Sequence, residues 1–538
     1  MEIAKAARRY FIESIDTQKE KHTMNLNRRV FLFGSAAAAT LAGCATRKMG
    51  KRPLAAGEKR RVALIGYGIQ QRTALLPQFL GKAGAKGAEE LVKVVAVCDC
   101  DKDRREAGAK AVDEAYGESG VCAAVADFRD VLADPTIDAV SIATPDHWHA
   151  YMCVEAMKHG KDVYCEKPLT FSPEEAKKVI EAQDKYGRVF QTGSMQRSWD
   201  IFRTACMIVR NGCIGDVKYV DANFGIAGKK LGGPSHPVRF FDDPKNAAAE
   251  GAENPNVDWN MWLGPARWRP YSDQLAPRGV NKFYPMFWRF DDDIGTGYNG
   301  DWGAHHLDIA QWGLDMDKSG PYRCERSDEP YSTDLYHGGR RQYGAKLFFK
   351  KGDDTIELYH GPFSQLGKGH GWGTVFYGTT GIVAVARGKI AVWKGTGLVR
   401  PTLEIRKALE DCSYCPELIV ASTIGKAYGT DALVKKDAAL EAAIAKLKEF
   451  FHLDSAPVQL YKSPNQVLNF CMSIESREPT ISPAQVGGRG AVLCQLLNMS
   501  YVYDTGFDWD PETFTFANGT GDPAWLKRAN YRGWDIVV

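Results

Sequence analysis

The chain has 538 residues, 44% of them hydrophobic and 25% charged, with a formal net charge of +3. That composition belongs to a globular protein with a sizeable core and room for two or three domains. The first 44 residues hold seven Lys/Arg and four Asp/Glu, so the remainder is balanced and shows no clustered basic excess of the kind nucleic-acid binders carry.

Residues 1–58 read as an export signal, lipobox and tether. Arg28 and Arg29 precede Phe31–Ala42, an apolar stretch too short to anchor stably in a bilayer. Twin arginines before such a stretch read as a twin-arginine export signal. Leu41-Ala42-Gly43-Cys44 resembles a bacterial lipoprotein cleavage box, with Cys44 lipidated and Met24 a candidate start. The expected location is periplasmic, with membrane contact only through the lipid. Of thirteen cysteines, Cys98, Cys153 and Cys165 sit in apolar runs and read as core, and Cys412-x-x-Cys415 as structural, with one disulfide as an option.

From residue 59 to 190 strands and helices alternate. Val62–Ile65 predicts a strand, 69–81 a helix bent at Pro77, and Leu91–Cys98 a second strand. Val140–Ala143, Val163–Cys165 and Val189–Thr192 read as further strands, with helices at Ala150–Lys158 and Thr170–Tyr186. Ser172 is the expected N-cap of the latter, with Pro173 in its first turn. Near-continuous apolar strands alternating with helices imply a doubly wound parallel sheet covered on both faces.

The loop after the first strand is Gly66-Tyr67-Gly68-Ile69-Gln70-Gln71. Strand before, helix after and an acid ending the next strand form the context of a dinucleotide loop. Gln71 replaces the third glycine and is expected to push the helix slightly outward. Asp99 is placed to accept hydrogen bonds from the adenosine ribose and to repel a 2′-phosphate, which favours NAD. Arg104 and Arg105 leave NADP open. Thr144-Pro145-Asp146-His147-Trp148-His149 and Glu166-Lys167-Pro168 fall at strand C-terminal ends, where doubly wound sheets bind ligands.

Residues 191–538 read as the second domain, with an insertion at about 396–460 that includes the amphipathic Asp437–Phe451. Trp259-Asn260-Met261-Trp262 is an aromatic segment able to pack or to stack on a sugar. Gly295-Thr296-Gly297-Tyr298 leads into Asp301–Leu314, expected as a helix with Asp301, His305, Asp308 and Trp312 on one face. A carboxylate beside an imidazole is what proton abstraction from an alcohol requires, and an unperturbed imidazole titrates near ~6.5. His306 turns away and reads as structural. No set of residues offers usable metal-ligand spacing, so no metal is expected. Lys346–Lys350, Thr355–Tyr359, Val375–Tyr377 and Ile382–Ala386 read as strands and Pro483–Tyr501 as a helix.

The Gly66-x-Gly68 loop, Asp99, the Thr144–His149 turn, Glu166-Lys167-Pro168, Gly295-Thr296-Gly297 and the segment from Asp301 together resemble the glucose–fructose oxidoreductase / inositol dehydrogenase / MocA family. That resemblance implies an N-terminal Rossmann domain plus a C-terminal α+β domain with an open, mostly antiparallel sheet, and a dimer formed through the sheet. Its implied cofactor contacts are Gly66, Gly68, Ile69, Gln70, Asp99, Thr144, Pro145, His149, Glu166 and Lys167. Lys167, Asp301 and His305 are the expected catalytic residues, and Arg197, Trp259 and Tyr298 the expected substrate contacts. The leading expectation is an NAD(P)-dependent oxidoreductase acting on a sugar or polyol hydroxyl, with NAD tightly held through export. Two alternatives stay open: a glycoside-cleaving or epimerising enzyme that recycles its NAD, and a non-catalytic sugar-binding lipoprotein. Similar glycosidases carry Tyr-x-x-His around the catalytic histidine, where this chain has Trp302.

Overall fold

A computed structural model describes residues 52–223, 253–280, 287–330, 343–360, 372–395, 400–410, 417–423 and 438–538. The twin-arginine stretch, Cys44 and the Cys412/Cys415 pair lie outside them. The apolar runs of the first half form β1 (Arg60–Ile65), β2 (Val92–Cys98), β3 (Ala123–Val125), β4 (Ala139–Ile142), β5 (Asp162–Cys165) and β6 (Phe190–Thr192). They make one parallel sheet in the order β3-β2-β1-β4-β5-β6. Its helices include α1 (Leu76–Phe79), α2 (Lys102–Tyr116), α3 (Phe128–Ala133), α4 (His149–Lys158) and α5 (Pro173–Tyr186). Ser172 does cap α5, accepting from the Glu175 amide.

Alternate residues of β1 feed two separate cores: Ala63 and Ile65 pack with α4 and α5, Val62 and Leu64 with the opposite layer. Distant sequence completes both layers. Val467, Phe470 and Ile474 of a late helix join Val62 and Leu64, and Trp534 meets Phe128, Trp148 and Tyr151 edge-on or tilted. The nucleotide-binding sheet runs from Arg60 to Thr192, against 59–190 expected from sequence, and part of its cover comes from beyond that stretch. An apolar strand run leaves its helical cover unspecified, and here the chain returns from its C-terminal end to supply it.

The second half begins with α6 (Asp200–Arg210) and β7 (Val217–Ala222), then α7 (Trp259–Leu263) and α8 (Ala304–Leu314). Next come β8 (Arg323–Pro330), β9 (Tyr343–Lys351), β10 (Asp354–His360), β11 (Thr374–Gly378), β12 (Gly381–Ala386) and β13 (Lys389–Lys394). After α9 (Leu403–Glu410), β14 (Glu417–Thr423), α10 (Ala438–Phe450), α11 (Gln466–Ser476) and α12 (Ala484–Tyr503) follow β15 (Phe507–Asp510) and β16 (Thr515–Ala517). The ten strands run β14-β13-β12-β11-β7-β10-β9-β8-β15-β16, antiparallel except where β7 meets β10. One face, with Leu347, Phe349, Phe376, Val383 and Val392, buries against α6, α8 and α12. On the other face Val375, Tyr377, Ile382, Ala384 and Trp393 pack with Ile405 and Leu409 of α9. The insertion thus adds an edge strand, β14, and lays its own helix over part of that face.

Arg197, expected at the substrate, is instead a fully buried structural cation. Its guanidinium donates to Asp308 at 2.7 and 2.8 Å and to Asp317 at 2.8 and 2.7 Å, and lies 5.2 Å from the Trp312 ring centroid. Asp308 and Trp312 of α8 face this cation rather than a ligand, because two carboxylates and an indole satisfy it internally. Removing one partner of a buried ion network leaves the others uncompensated, at about 3–5 kcal/mol. Arg197→Met should lower the unfolding free energy by about that amount; a urea midpoint unchanged from wild type would contradict the structural role.

Candidate functional site

The glycine loop closes a cavity of about 220 Å³ at the C-terminal ends of β1, β2 and β4, where the strand order reverses between β1 and β4. Gly66 has φ +83°, and a Cβ on it would stand 2.9 Å from backbone atoms of Ala143 and Thr144, so no other residue fits this turn. Gly68 lines the cavity with nothing within 4 Å of the position its Cβ would take. Gln71 is fully buried and accepts a hydrogen bond from Ser141. The helix absorbs it by widening into a π-wound turn over Gln71–Leu75 before α1. Asp99 accepts from the amides of Tyr67 and Asp101, at 2.8 and 2.9 Å, and its carboxylate borders the cavity. Arg104 is taken up by Asp101 and by the carbonyl of Pro277.

The opposite wall comes from residues 257–280 with Trp288 and Arg289, and includes Val257, Met261, Trp262, Leu275, Pro277 and Val280. This segment is laced to the nucleotide-binding half by main-chain bonds. The Lys102 amide donates to Asn256 O at 2.7 Å and the Asp258 amide to Cys100 O at 3.1 Å. The Trp148 indole donates to the carbonyls of Met261 and Trp262. The Thr144–His149 turn is similarly occupied. Asp146 accepts from Thr296 N and Oγ1 at 3.0 and 2.6 Å, and the ring nitrogens of His149 face the carbonyls of Pro168 and Thr144. Thr144 Oγ1 is buried without a partner.

Glu166 and Lys167 leave β5 toward the second half. Glu166 accepts from Gln70 at 3.0 Å, and burial raises its carboxyl above the usual range against the pull of Lys167. Lys167 Nζ donates to Asp301 Oδ1 at 2.6 Å and Asp301 O at 2.8 Å. Asp301 lies in a second π-wound turn, Asn299–Gly303, immediately before α8. Arg289, from the cavity wall, reaches its other oxygen at 3.3 Å. Burial opposes the Asp301 charge, yet Arg289 and Lys167 hold the carboxyl below its ordinary value.

His305 follows one turn later, buried, with Nδ1 lacking a hydrogen-bond partner and Trp302 edge-on at 5.9 Å. Burial pushes its imidazole well below the ordinary range, and Arg387 and Lys167 add to that push. The expected carboxylate–imidazole pairing with Asp301 is not formed, because two cations compete for the carboxylate and the imidazole is neutral. His306 is buried and stacked with Trp302 at 6.3 Å. The one dense carboxylate group among the described residues able to surround an ion, Asp291–Asp293, is bonded to Arg267 and Arg269.

Residues 60–194 match the description "Oxidoreductase family, NAD-binding Rossmann fold", and residues 238–343 match "Oxidoreductase family, C-terminal alpha/beta domain" of the same family. The chain belongs to the Gfo/Idh/MocA oxidoreductase family. Among its curated relatives are scyllo-inositol 2-dehydrogenase (NAD(+)) of Bacillus subtilis strain 168, 36% identical over 34% of this chain and 47% of that protein. Glycosyl hydrolase family 109 protein 2 of Shewanella sp. strain ANA-3 is 30% identical over 40% of this chain and 47% of that one. The chain thus spans less than half the length of these relatives. In fold it is similar to a levoglucosan dehydrogenase solved with NADH and L-sorbose, at 16% identity and TM-score 0.50, over 85% of this chain and 100% of that one.

Of the family residues expected in the site, Gly66, Gly68, Ile69, Gln70, Asp99, Thr144, Pro145, His149, Glu166 and Lys167 all line the one cavity. Asp301 touches it through Lys167 and Arg289; His305, one turn on, is not itself among the lining residues. Tyr298 is partly buried against the second core, next to the charge of Asp301. Trp259 is not in the wall: it stacks on Trp262 at 4.8 Å and donates to Arg269 O, so of these two indoles it is Trp262 that lines the cavity. Arg289 and Arg387 were not expected here. Arg289 follows an aromatic run without periodicity, and Arg387 sits in a tight Arg-Gly turn between apolar strands, a pattern that reads as solvent-facing.

Four buried histidines share one titration sign. Burial is the leading cause in each, bringing His147, His306 and His360 to about 3 and His305 downward as well. The unfolded imidazole titrates near ~6.5, so the unfolded chain takes up protons that the folded chain refuses. Stability present above ~6.5 is lost as pH falls toward the folded values. Urea midpoints should therefore drop steadily from pH 7 to pH 5, whereas a flat profile would mean these imidazoles ionise in place.

Proposed function

We propose that this protein is an oxidoreductase acting on a carbohydrate hydroxyl, with NAD held in the cavity. The observation that carries the reading is the Lys167–Asp301 contact beside the neutral imidazole of His305, at the end of a cavity rimmed by the glycine loop. Gly68 leaves open space for a close backbone approach, Asp99 offers carboxylate oxygens to a ribose, and Thr144 Oγ1 is an unmet polar group in the wall. These features fit a dinucleotide. Bound there, NAD supplies the acceptor, or in reverse the donor, of a hydride.

The rest of the chemistry belongs to the chain. Lys167 gives two of its three N–H groups to Asp301 and keeps the third for the reacting hydroxyl oxygen. Charge on that oxygen, developing as the proton leaves, is stabilised by the ammonium. His305 enters the reaction unprotonated and takes the hydroxyl proton, or returns it in reverse. Asp301, ionised between two cations, fixes where Lys167 points. Val257, Met261, Trp262, Leu275 and Pro277 keep water from the wall opposite the glycine loop. The sequence features at residues 27–44 support a folded, cofactor-loaded export with Cys44 as the lipid site.

A redox-neutral variant uses the same groups: transient oxidation, a change elsewhere on the sugar, then re-reduction with NAD recycled. The family 109 relative favours keeping it; Trp302, stacked on His306 where similar glycosidases place tyrosine, weighs against it. A panel of free sugars and aryl glycosides, read by NADH absorbance and aglycone release, separates the two. His305→Ala should cost roughly 10²–10⁴-fold in turnover while leaving NAD able to raise the melting temperature. Lys167→Met should lose turnover comparably. Near-wild-type rates in either variant, or a wild-type protein that neither contains nor binds NAD, would defeat the proposal.

A further inference from the structure

Arg387, in the turn between β12 and β13, has no role in the chemistry above. Its guanidinium carbon lies 4.7 Å from the Trp302 ring centroid and 5.6 Å from that of Trp199. Two indoles from different elements, the turn before α8 and the turn before α6, therefore hold one cation. Its Nε is buried with no acceptor, and among the described residues no carboxylate forms an ion pair with it. Burial lowers this guanidinium to about 10, with only the more distant Asp301 and Glu166 opposing. Arg387 also contributes, after burial, to keeping His305 and His306 neutral. The cation thus stands beside the candidate base.

The neighbourhood is short of negative charge. Lys167 and Arg289 share Asp301, Arg387 reaches His305's neighbour Trp302, and Glu166 is held toward its neutral form by burial. Arg387 is partly exposed as a residue, but its buried Nε–H has no acceptor, and leaving a buried donor unmet is costly. A guanidinium stacked on aromatic faces keeps its in-plane N–H groups available, and that fork matches a carboxylate in two parallel bonds. Hydrogen-bonding sites of this kind reject an analogue lacking the matching group because the buried donor is then unmet.

We propose that Arg387 is a carboxylate subsite, and that the substrate is an acidic sugar, a uronic or aldonic acid, rather than a neutral sugar or polyol. The inference rests on the carbohydrate-site reading above and names its substrate class. Trp199 and Trp302 hold the fork; Lys167 and His305 meet the reacting hydroxyl of the same molecule.

The test is equilibrium binding by titration calorimetry on the full chain with NAD present. D-glucuronate is compared with D-glucose, D-galacturonate with D-galactose, and D-gluconate with myo-inositol. At least one acid should bind roughly tenfold or more tightly than its neutral partner. Arg387→Met should abolish that preference, and Arg387→Lys, a point charge without the fork, should keep only part of it. Equal or better binding of every neutral partner, binding of no acid, or a folded Arg387→Met protein with its preference intact would overturn the subsite. If Arg387→Met does not fold, the wild-type pairs and Arg387→Lys decide. NADH absorbance is followed separately: acid preference without oxidation fails the oxidoreductase reading alone, and oxidation of a neutral sugar without acid preference fails the subsite alone.

Discussion

Lys167 reaches Asp301 across 2.6 Å, from a loop positioned by a parallel sheet to a turn positioned by a mostly antiparallel one. Every other feature of the site is arranged around that buried ammonium–carboxylate contact. Such a pair survives burial only if both partners are well bonded. Here the carboxylate is also supported by Arg289, and the ammonium takes a main-chain carbonyl as well. The contact therefore acts as a joint between the halves and also sets the direction of the one donor left over.

Charge in the site is distributed unequally. His305 and His306 are held neutral chiefly by burial, with Arg387 adding to the effect at both. A neutral imidazole is a competent base but a poor partner for a carboxylate, which explains why Asp301 turns to Lys167 and Arg289. Cationic excess at the far end and neutral bases in the middle favour a substrate that brings its own negative charge.

The cavity wall is equally a product of both halves. Asn256 and Asp258 are tied to the loop after β2, and Ile294 to the loop after β4, by main-chain bonds that do not depend on side-chain identity. The final residues reinforce that attachment, since Arg528 donates to His147 O and Arg532 to Asn260. Main-chain tethering of this kind makes the wall a fixed part of the nucleotide-binding half.

Periodicity and loop chemistry made much of this protein legible. The strands around Val62, Val94, Val140 and Val163, the Ser172 cap and the Gly66–Gly68 turn follow from local rules: apolar runs, helix caps and positive φ. Lys167 was legible because strand ends in a doubly wound sheet converge on the ligand. Tertiary structure alone decided which carboxylate meets which cation. Arg197 and Arg387 are both arginines flanked by tight turns, and nothing in their surrounding residues separates them. One meets Asp308 and Asp317, more than a hundred positions away in sequence; the other, among the described residues, meets indole faces. Asp301 and His305 share a helical face in an ideal α-helix, but the π-wound turn and two competing cations part them. Local sequence determines which backbone conformations are cheap, whereas long-range packing determines which buried charges find partners.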